Sequence, residues 1–329
     1  MAEETIAFYP IIVPIFLAAG YDALVAIATV YIGSSIGTMA STVNPFSTVI
    51  ASNTAGIDFT EGMILRLIML LVGLIICITY IIRYGEKVKR NPSSSYIYDK
   101  KEDIERHFLS NNNEEDAPLF TTSRKMILII FALAFVVMVY GVKELGWWFE
   151  EMTALFLFIT FIMIFFAKLK EQEFVSEFMN GAADLLGVAI IIGLARGVTI
   201  IMENGMISDT ILNYLSNGVS RMNGIVFSTF IFFVYIILGF FISSSSGLAV
   251  LSMPIMAPLA DVVGISRDVI VSAYQFGQGI MSFITPTGLI LASLAMVNVT
   301  YDRWLKFVLP LVIIIGILAI VMLAIGVLI

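Results

Sequence analysis

Apolar and polar positions alternate along this chain in long blocks. Apolar runs fall near residues 6–20, 22–56, 63–83, 126–145, 152–167, 183–202, 224–242, 246–265, 269–299 and 304–329, with short polar interruptions between them. A helix needs about 20 apolar residues to cross roughly 30 Å of hydrocarbon, so the pattern predicts an all-α polytopic membrane protein of at most about ten crossings. Two runs are too long and too polar to be plain spans. The run from Asp22 to Gly56 holds Gly33-Ser34-Ser35-Ile36-Gly37-Thr38 and then Ser41-Thr42-Val43-Asn44-Pro45. The run from Val269 to Val299 holds Gln275, Gly277, Gln278, Gly279, Ser282 and Thr285-Pro286-Thr287-Gly288. Such residues break helices and leave backbone carbonyls free, so both runs are expected to be broken helices.

Composition narrows the function. Of 329 residues, 59% are apolar and 13% charged, which excludes a water-soluble globular fold. The single cysteine, Cys77, lies in an apolar run and the single histidine, His107, in a polar stretch, so disulfide frameworks, His/Cys metal sites and Ser/His hydrolysis lack their parts. No enzyme is expected, and no basic patch suits nucleic acid. The polar stretch from Arg83 to Lys125 has no apolar period and reads as a loop; it carries nine of the 18 basic residues. Placing it in the cytoplasm puts thirteen basic residues inside and four, Arg66, Lys143, Arg221 and Arg267, towards the outside, with Ile329 ending outside. Met1 is followed by Glu3 and Glu4 rather than a basic stretch, so no cleavable signal peptide is expected.

The chain repeats itself. Sliding it by 244 positions places Pro10 on Pro254, Pro14 on Pro258, Gly20 on Gly264 and Gly33 on Gly277. After a three-residue shift, Asn44-Pro45 falls on Thr285-Pro286 and Ile50-Ala51-Ser52 on Leu291-Ala292-Ser293. Five crossings separate the copies, and an odd number inverts the second. Inverted repeats with breaks at matched positions are the sequence sign of a secondary transporter whose site lies at mid-membrane. The second copy opens with a limb from Ile225 to Ile242, then Ser243-Ser244-Ser245-Ser246-Gly247, which suits the tip of a re-entrant hairpin. The chain divides into a truncated first repeat (1–84), a cytoplasmic loop (85–124) and a complete second repeat (125–329) with scaffold spans, an interfacial arm from Met206 to Arg221, hairpin, broken helix and last span. By this symmetry the first half is expected to lack roughly 120 residues, and transport is expected to need them.

The candidate chemistry sits in the breaks. Ser34, Ser35, Thr38, Ser41, Thr42 and Asn44 are expected to face Gln275, Gln278, Ser282, Thr285 and Thr287 across a pseudo-twofold axis, with Ser244, Ser245 and Ser246 at the hairpin tip. Freed carbonyls and hydroxyls suit Na⁺, and half-helix N-termini suit a carboxylate; the structural alternative is close helix packing by small residues. Arg196, deep in a span, either holds a substrate carboxylate, pairs with Asp184 or helix carbonyls, or snorkels to the outer edge two turns away. Glu3 and Glu4 fall by the 244 offset at the first hairpin tip, where they bind a cationic substrate or a coupling proton, or else form a solvated tail.

Met1-Ala2-Glu3-Glu4-Thr5, Gly33-Ser34-Ser35-Ile36-Gly37-Thr38, Asn44-Pro45, Ser243-Ser244-Ser245-Ser246-Gly247 and Ser282-Phe283-Ile284-Thr285-Pro286-Thr287 together resemble the YfcC branch of the anaerobic C4-dicarboxylate carrier family, in the ion transporter superfamily. The resemblance covers essentially the whole chain. It implies scaffold helices, an amphipathic arm, a hairpin and a broken helix in each half, and a homodimer that moves one domain like an elevator. The function it implies is ion-coupled or exchange transport of small carboxylate-bearing metabolites across a bacterial inner membrane, with Na⁺ or H⁺ as coupling ion and no other cofactor. A basic amino acid exchanger of the arginine/ornithine kind is the alternative within that class. A non-transporting fragment or structural partner is the alternative outside it.

Overall fold

The computed structural model describes residues 9–109, 121–145, 147, 149–167, 169–179, 222–242, 244–286 and 289–329, with isolated positions 182, 201, 204 and 205. Glu3, Glu4, Arg196, Thr287, the arm from Met206 to Arg221 and nearly all of the 183–202 run lie outside the described residues. The chain forms two units, one of residues 1–112 with 192–329 and one of residues 113–191. Six helices among the described residues are long and apolar enough to cross a membrane. The protein is an all-helical, multi-pass membrane protein.

The larger unit is built from α1 (Tyr9–Ala18), α2 (Ala23–Met39), a π-helical turn (Pro45–Val49) running into α3 (Ile50–Ala55), and α4 (Met63–Arg90). After the linker it resumes with α8 (Gly224–Phe241), α9 (Ser245–Val263), α10 (Arg267–Ser282), α11 (Ile290–Met296) and α12 (Tyr301–Leu328). α1 to α4 follow the same order as α9 to α12. α4 and α12 are both 28 residues long. Gly20 and Gly264, which the 244 offset pairs, both end a helix in the left-handed region, with φ of 84° and 78°, where any side chain would be strained. Asp22 and Ser266, paired by the same offset, are the N-caps of α2 and α10.

The copies run antiparallel. Leu65 at the start of α4 approaches Gly326 at the end of α12, while Tyr80 and Tyr84 near the end of α4 meet Phe307 near the start of α12. The inversion predicted from an odd number of crossings is therefore what the helices do. α8 and α9 form a helical hairpin. A Cβ on Gly224, at the start of α8, would stand 2.5 Å from Ile265, just beyond the end of α9, so both limbs open on the same side of the molecule.

Glycines do not break these helices, contrary to expectation. α2 continues through Gly33 and Gly37 to Met39, and α10 through Gly277 and Gly279 to Ser282. A helical glycine costs about 1 kcal/mol, whereas each backbone group left unpaired in hydrocarbon costs several. The prolines end the runs instead. Asn44, before Pro45, is held extended at φ −65° and ψ 117°, which forces the chain out of the helix at Ala40–Asn44. The second break begins after Ser282, with 283–286 out of the helix around Pro286.

The linker also departs from the expected loop. Beyond α4 come 3₁₀ turns at Pro92–Ser94 and Tyr98–Lys100 and then α5 (Lys101–Leu109), with Ile97 and Ile104 buried in the core. Three apolar residues, Ile97, Ile104 and Phe108, suffice to dock it, too few to stand out against the surrounding charge. The smaller unit holds α6 (Thr122–Leu145), α7 (Phe149–Ala167) and a helical stretch over 171–179. α6 and α7 pack through Phe135 and Phe156 and expose most of their apolar surface.

Candidate substrate and ion site

The candidate site lies where the two broken helices cross. α2 and α10 run antiparallel and approach so closely that a Cβ on Gly279 would stand 2.4 Å from Met39 Cβ. From α10, Gln275 reaches into the first break. Its Nε2 donates to Ser41 O at 2.7 Å and to Thr48 Oγ1 at 3.0 Å, and lies 3.5 Å from Thr38 O. Thr48 Oγ1 spends its own proton on Ser41 O at 3.1 Å, so towards Gln275 it accepts. Three acceptors around one position require the amide nitrogen there, which fixes the orientation of the amide. Gln275 Oε1 therefore points away, buried and without a donor.

The break itself is shaped by short side chains. Ser41 Oγ accepts from the backbone N–H of Asn44 at 2.9 Å and of Val43 at 3.3 Å. Asn44 Oδ1 accepts from Phe46 N at 2.9 Å and starts the π-helical turn. The hairpin tip closes on this turn. Ser245 Oγ donates to Phe46 O at 3.4 Å, and Tyr274 OH donates to Ser245 O at 2.7 Å. Ser244 caps α9 by accepting from Gly247 N at 3.2 Å and lies 3.4 Å from Ser246 Oγ. The N-terminus of the 19-residue α9 thus meets the N-terminus of the helix that begins at Pro45, while the C-terminal carbonyls of α2 approach from the other side. Helix N-termini favour negative charge and C-terminal carbonyls favour cations, so the junction offers both within one neutral, hydroxyl-rich setting.

Unspent hydrogen-bonding capacity concentrates here. Among the described residues, the buried side-chain polar atoms without a partner include those of Ser47, Ser52, Asn53, Ser272 and Gln275 Oε1. All belong to the turn and α3 on one side of the junction or to the face of α10 that carries Gln275. The remaining ones are Tyr9 and Ser293, which lie side by side, and two nitrogens of Arg66. Each unsatisfied buried group costs about 1–3 kcal/mol, and such a concentration marks a place where a ligand or ordered water completes the set.

The second break is finished differently. Tyr31 OH donates to Ser282 O at 2.9 Å, Trp304 Nε1 to Phe283 O at 2.9 Å, and Tyr301 OH to Ile284 O. Ser282 Oγ turns back onto Gly279 O at 2.6 Å, and buried Thr285 donates its N–H to Met281 O at 2.7 Å.

Of the residues singled out in the sequence, Ser41, Asn44, Ser244, Ser245, Ser246 and Gln275 meet at the junction. Thr38 supplies its carbonyl there, while its hydroxyl donates to Ser34 O at 3.0 Å. Ser34, Ser35 and Thr42 line the same stretch, and no described hydrogen bond joins their side chains to the junction. Gln278 lies along α8, its Cα 3.2 Å from the Cβ position of Gly239. Ser282 and Thr285 belong to the second break. Sequence reasoning missed Thr48, Ser52, Ser272 and Tyr274. Their signal is helical spacing: Thr48 and Ser52 are one turn apart, and Ser272 is one turn before Gln275. It also missed the burial of Arg66, placed among the outward-facing cations; Arg66 is 0% exposed and donates through Nη2 to Phe59 O at 2.6 Å and Glu61 O at 2.8 Å.

Comparison with known proteins agrees with this architecture. The family model of the C4-dicarboxylate anaerobic carriers, DcuC, matches residues 1–328. An uncharacterized protein of Haemophilus influenzae (strain Rd) is 51% identical over 310 residues, covering 94% of this chain and 61% of that protein. A protein of Escherichia coli (strain K12), provisionally named the basic amino acid antiporter YfcC, is 31% identical over 318 residues, covering 93% of this chain and 62% of its own length. The chain thus spans about three fifths of the length of the curated relatives it matches. No solved structure matches. The inverted repeat, the matched breaks and the family match lead to one assignment: the chain belongs to the C4-dicarboxylate anaerobic carrier family, in a branch similar to YfcC.

Proposed function

We propose that this chain forms the binding and moving part of a secondary transporter that carries small carboxylate-bearing metabolites across a bacterial inner membrane by alternating access, without covalent chemistry. The observation that carries this reading is the junction of the first break with the hairpin tip. There the capped N-terminus of α9 meets Phe46 O, beside an amide oxygen and hydroxyls that have no partner. A carboxylate suits the N-terminal N–H groups and a small cation suits the carbonyl and amide oxygens, which is how broken-helix carriers couple the two. On this reading Na⁺ or H⁺ is the coupling ion, the carrier works by symport or exchange, and the whole protein is a homodimer with the linker on the cytoplasmic side. None of the described side chains gathered at the junction carries a charge, so the solute's charge is met by helix ends.

The name of the Escherichia coli relative supports a second reading, exchange of basic amino acids. An amino acid also carries a carboxylate for the same helix ends; its cationic side chain needs an acidic partner, for which Glu3 and Glu4 are the candidates on the chain. A third reading, a non-transporting partner, predicts no flux. Counterflow in proteoliposomes separates them. Labelled succinate, citrate, arginine and ornithine are tested one at a time, with and without Na⁺ and with and without a pH gradient. Acid counterflow supports the first reading, arginine or ornithine counterflow alone replaces it with the second, and no flux of any solute leaves the third.

A further inference from the structure

We infer that Tyr31 is a positioning residue, the inverted-repeat counterpart of Gln275, and that these two side chains lock the broken helices into one body so that neither break changes shape alone. Tyr31 and Gln275 are separated by the same 244 positions that pair Gly33 with Gly277. Their acceptors, Ser41 O and Ser282 O, are separated by the 241 positions that pair Pro45 with Pro286. Gln275 Nε2 to Ser41 O, at 2.7 Å, and Tyr31 OH to Ser282 O, at 2.9 Å, are therefore one bond made twice under inversion.

The last carbonyls of a helix have no donor within it, and inside a membrane there is little water to supply one. Here each broken helix supplies the donor for the other. The Tyr31 bond to Ser282 O is lost unless α2 keeps its register, and Ser41 O, if α10 slips, keeps only the Thr48 hydroxyl of its own break. The crossing is too tight to slip, because Gly279 leaves no room beyond Met39. Tyr31 is also held by Trp304, its ring edge-on at 5.6 Å, and Trp304 in turn holds Phe283 O. A displacement of the second break thus pulls Tyr31 and α2, and with them Ser41 and Gln275 at the first break. The two caps differ in one respect. The amide of Gln275 keeps Oε1 for a ligand, whereas Tyr31 spends its one proton on the lock.

The consequence for transport rests on the proposed function; the lock itself does not. Hydrogen exchange is measured by mass spectrometry on the detergent-solubilised wild type, Tyr31→Phe and Tyr31→Gln. Tyr31→Phe keeps the ring against Trp304 and removes the hydroxyl, which donates to Ser282 O and accepts from the Ile290 N–H; Tyr31→Gln restores a donor of the kind the other repeat uses. The expected result in Tyr31→Phe is exchange faster by roughly tenfold at both breaks, over 40–50 and over 283–290, as suits the loss of one buried hydroxyl, with recovery in Tyr31→Gln. In the same variants the half-saturating concentration of whichever solute the wild type exchanges rises several-fold in Tyr31→Phe, with a smaller change in maximal rate, and falls back in Tyr31→Gln. Faster exchange confined to 283–290, or spread evenly over the chain with no recovery in Tyr31→Gln, overturns the lock and leaves Tyr31 an ordinary packing residue. If the wild type moves no solute, the transport reading fails and the exchange pattern alone decides the lock.

Discussion

The two breaks descend from the same place in the repeat and are finished with opposite chemistry. In the second, three successive carbonyls, those of Ser282, Phe283 and Ile284, are each closed by a donor on an aromatic ring. In the first, Ser41 O and Phe46 O are closed by an amide and a serine, and nearby hydroxyls and Gln275 Oε1 remain without partners. Aromatic donors bring large buried surfaces and few rotamers, so they set a fixed geometry. Short hydroxyls and amides bind weakly and can exchange partners. On the proposed function the contrast gives anchoring to one break and ligand binding to the other, and each prediction below tests one side of it.

The largest effect is expected at the anchor. Trp304 is fully buried, holds Phe283 O and touches Tyr31 and Phe307. Trp304→Ala should cost about 3–5 kcal/mol and remove most folded protein from the membrane, as read by thermal unfolding in detergent and by yield. A variant that folds normally would mean that the second break is not an anchor.

Gln275→Leu should behave in the reverse way. It removes three polar contacts and the free Oε1, so counterflow should fall at least tenfold while the unfolding temperature drops by less than in Trp304→Ala. Ser41 O keeps its bond from Thr48 Oγ1, so losing the amide there should cost only about 1 kcal/mol. Equal loss of stability and flux in both variants would erase the distinction between the breaks.

A smaller step is expected at the caps that aim the helix ends. Asn44→Ala and Ser244→Ala each remove an N-cap acceptor worth about 1 kcal/mol. Both should weaken solute binding several-fold, measured as half-saturation of counterflow, and leave the protein folded. If either variant changes stability alone, its helix end does not face the solute.

Much of this arrangement could be read from residue types before any coordinates. Pro10, Pro14 and Pro45 with their partners gave the repeat, and the odd number of crossings gave its inversion. Ser41, Asn44, Gln275 and the serine tip were recognisable because polar, helix-breaking residues in an apolar run have few structural uses. The glycines misled, since Gly33 and Gly37 look like breakers, yet a membrane holds the helix together through them. Partnership across the repeats was out of reach. Tyr31, Trp304 and Tyr301 read as ordinary apolar-run aromatics, and only the crossing of α2 with α10 turns their single donors towards broken backbone. Arg66 was hidden for a related reason: its partners are carbonyls of the preceding loop, and backbone acceptors leave no mark in a sequence.

The finest test of the contrast uses a matched pair of serines. The repeat aligns Ser52 with Ser293, and both are 0% exposed. Neither hydroxyl makes a hydrogen bond, but Ser293 lies beside the Tyr9 phenol, whereas Ser52 has no such polar neighbour and sits one turn beyond Thr48 at the first break. Removing a buried hydroxyl with no such neighbour should be neutral or slightly stabilising, because its desolvation cost disappears with it; removing one beside a polar neighbour should cost up to about 1 kcal/mol. Without solute, Ser52→Ala should therefore melt at or just above the wild-type temperature and Ser293→Ala slightly below it. Saturating solute and Na⁺ should then reverse the order. The wild type gains stability from binding, and Ser52→Ala should gain less, because the hydroxyl it lacks is one that the ligand completes. If the two alanine variants respond identically to ligand, the unpartnered hydroxyls of the first break are packing defects rather than part of a site.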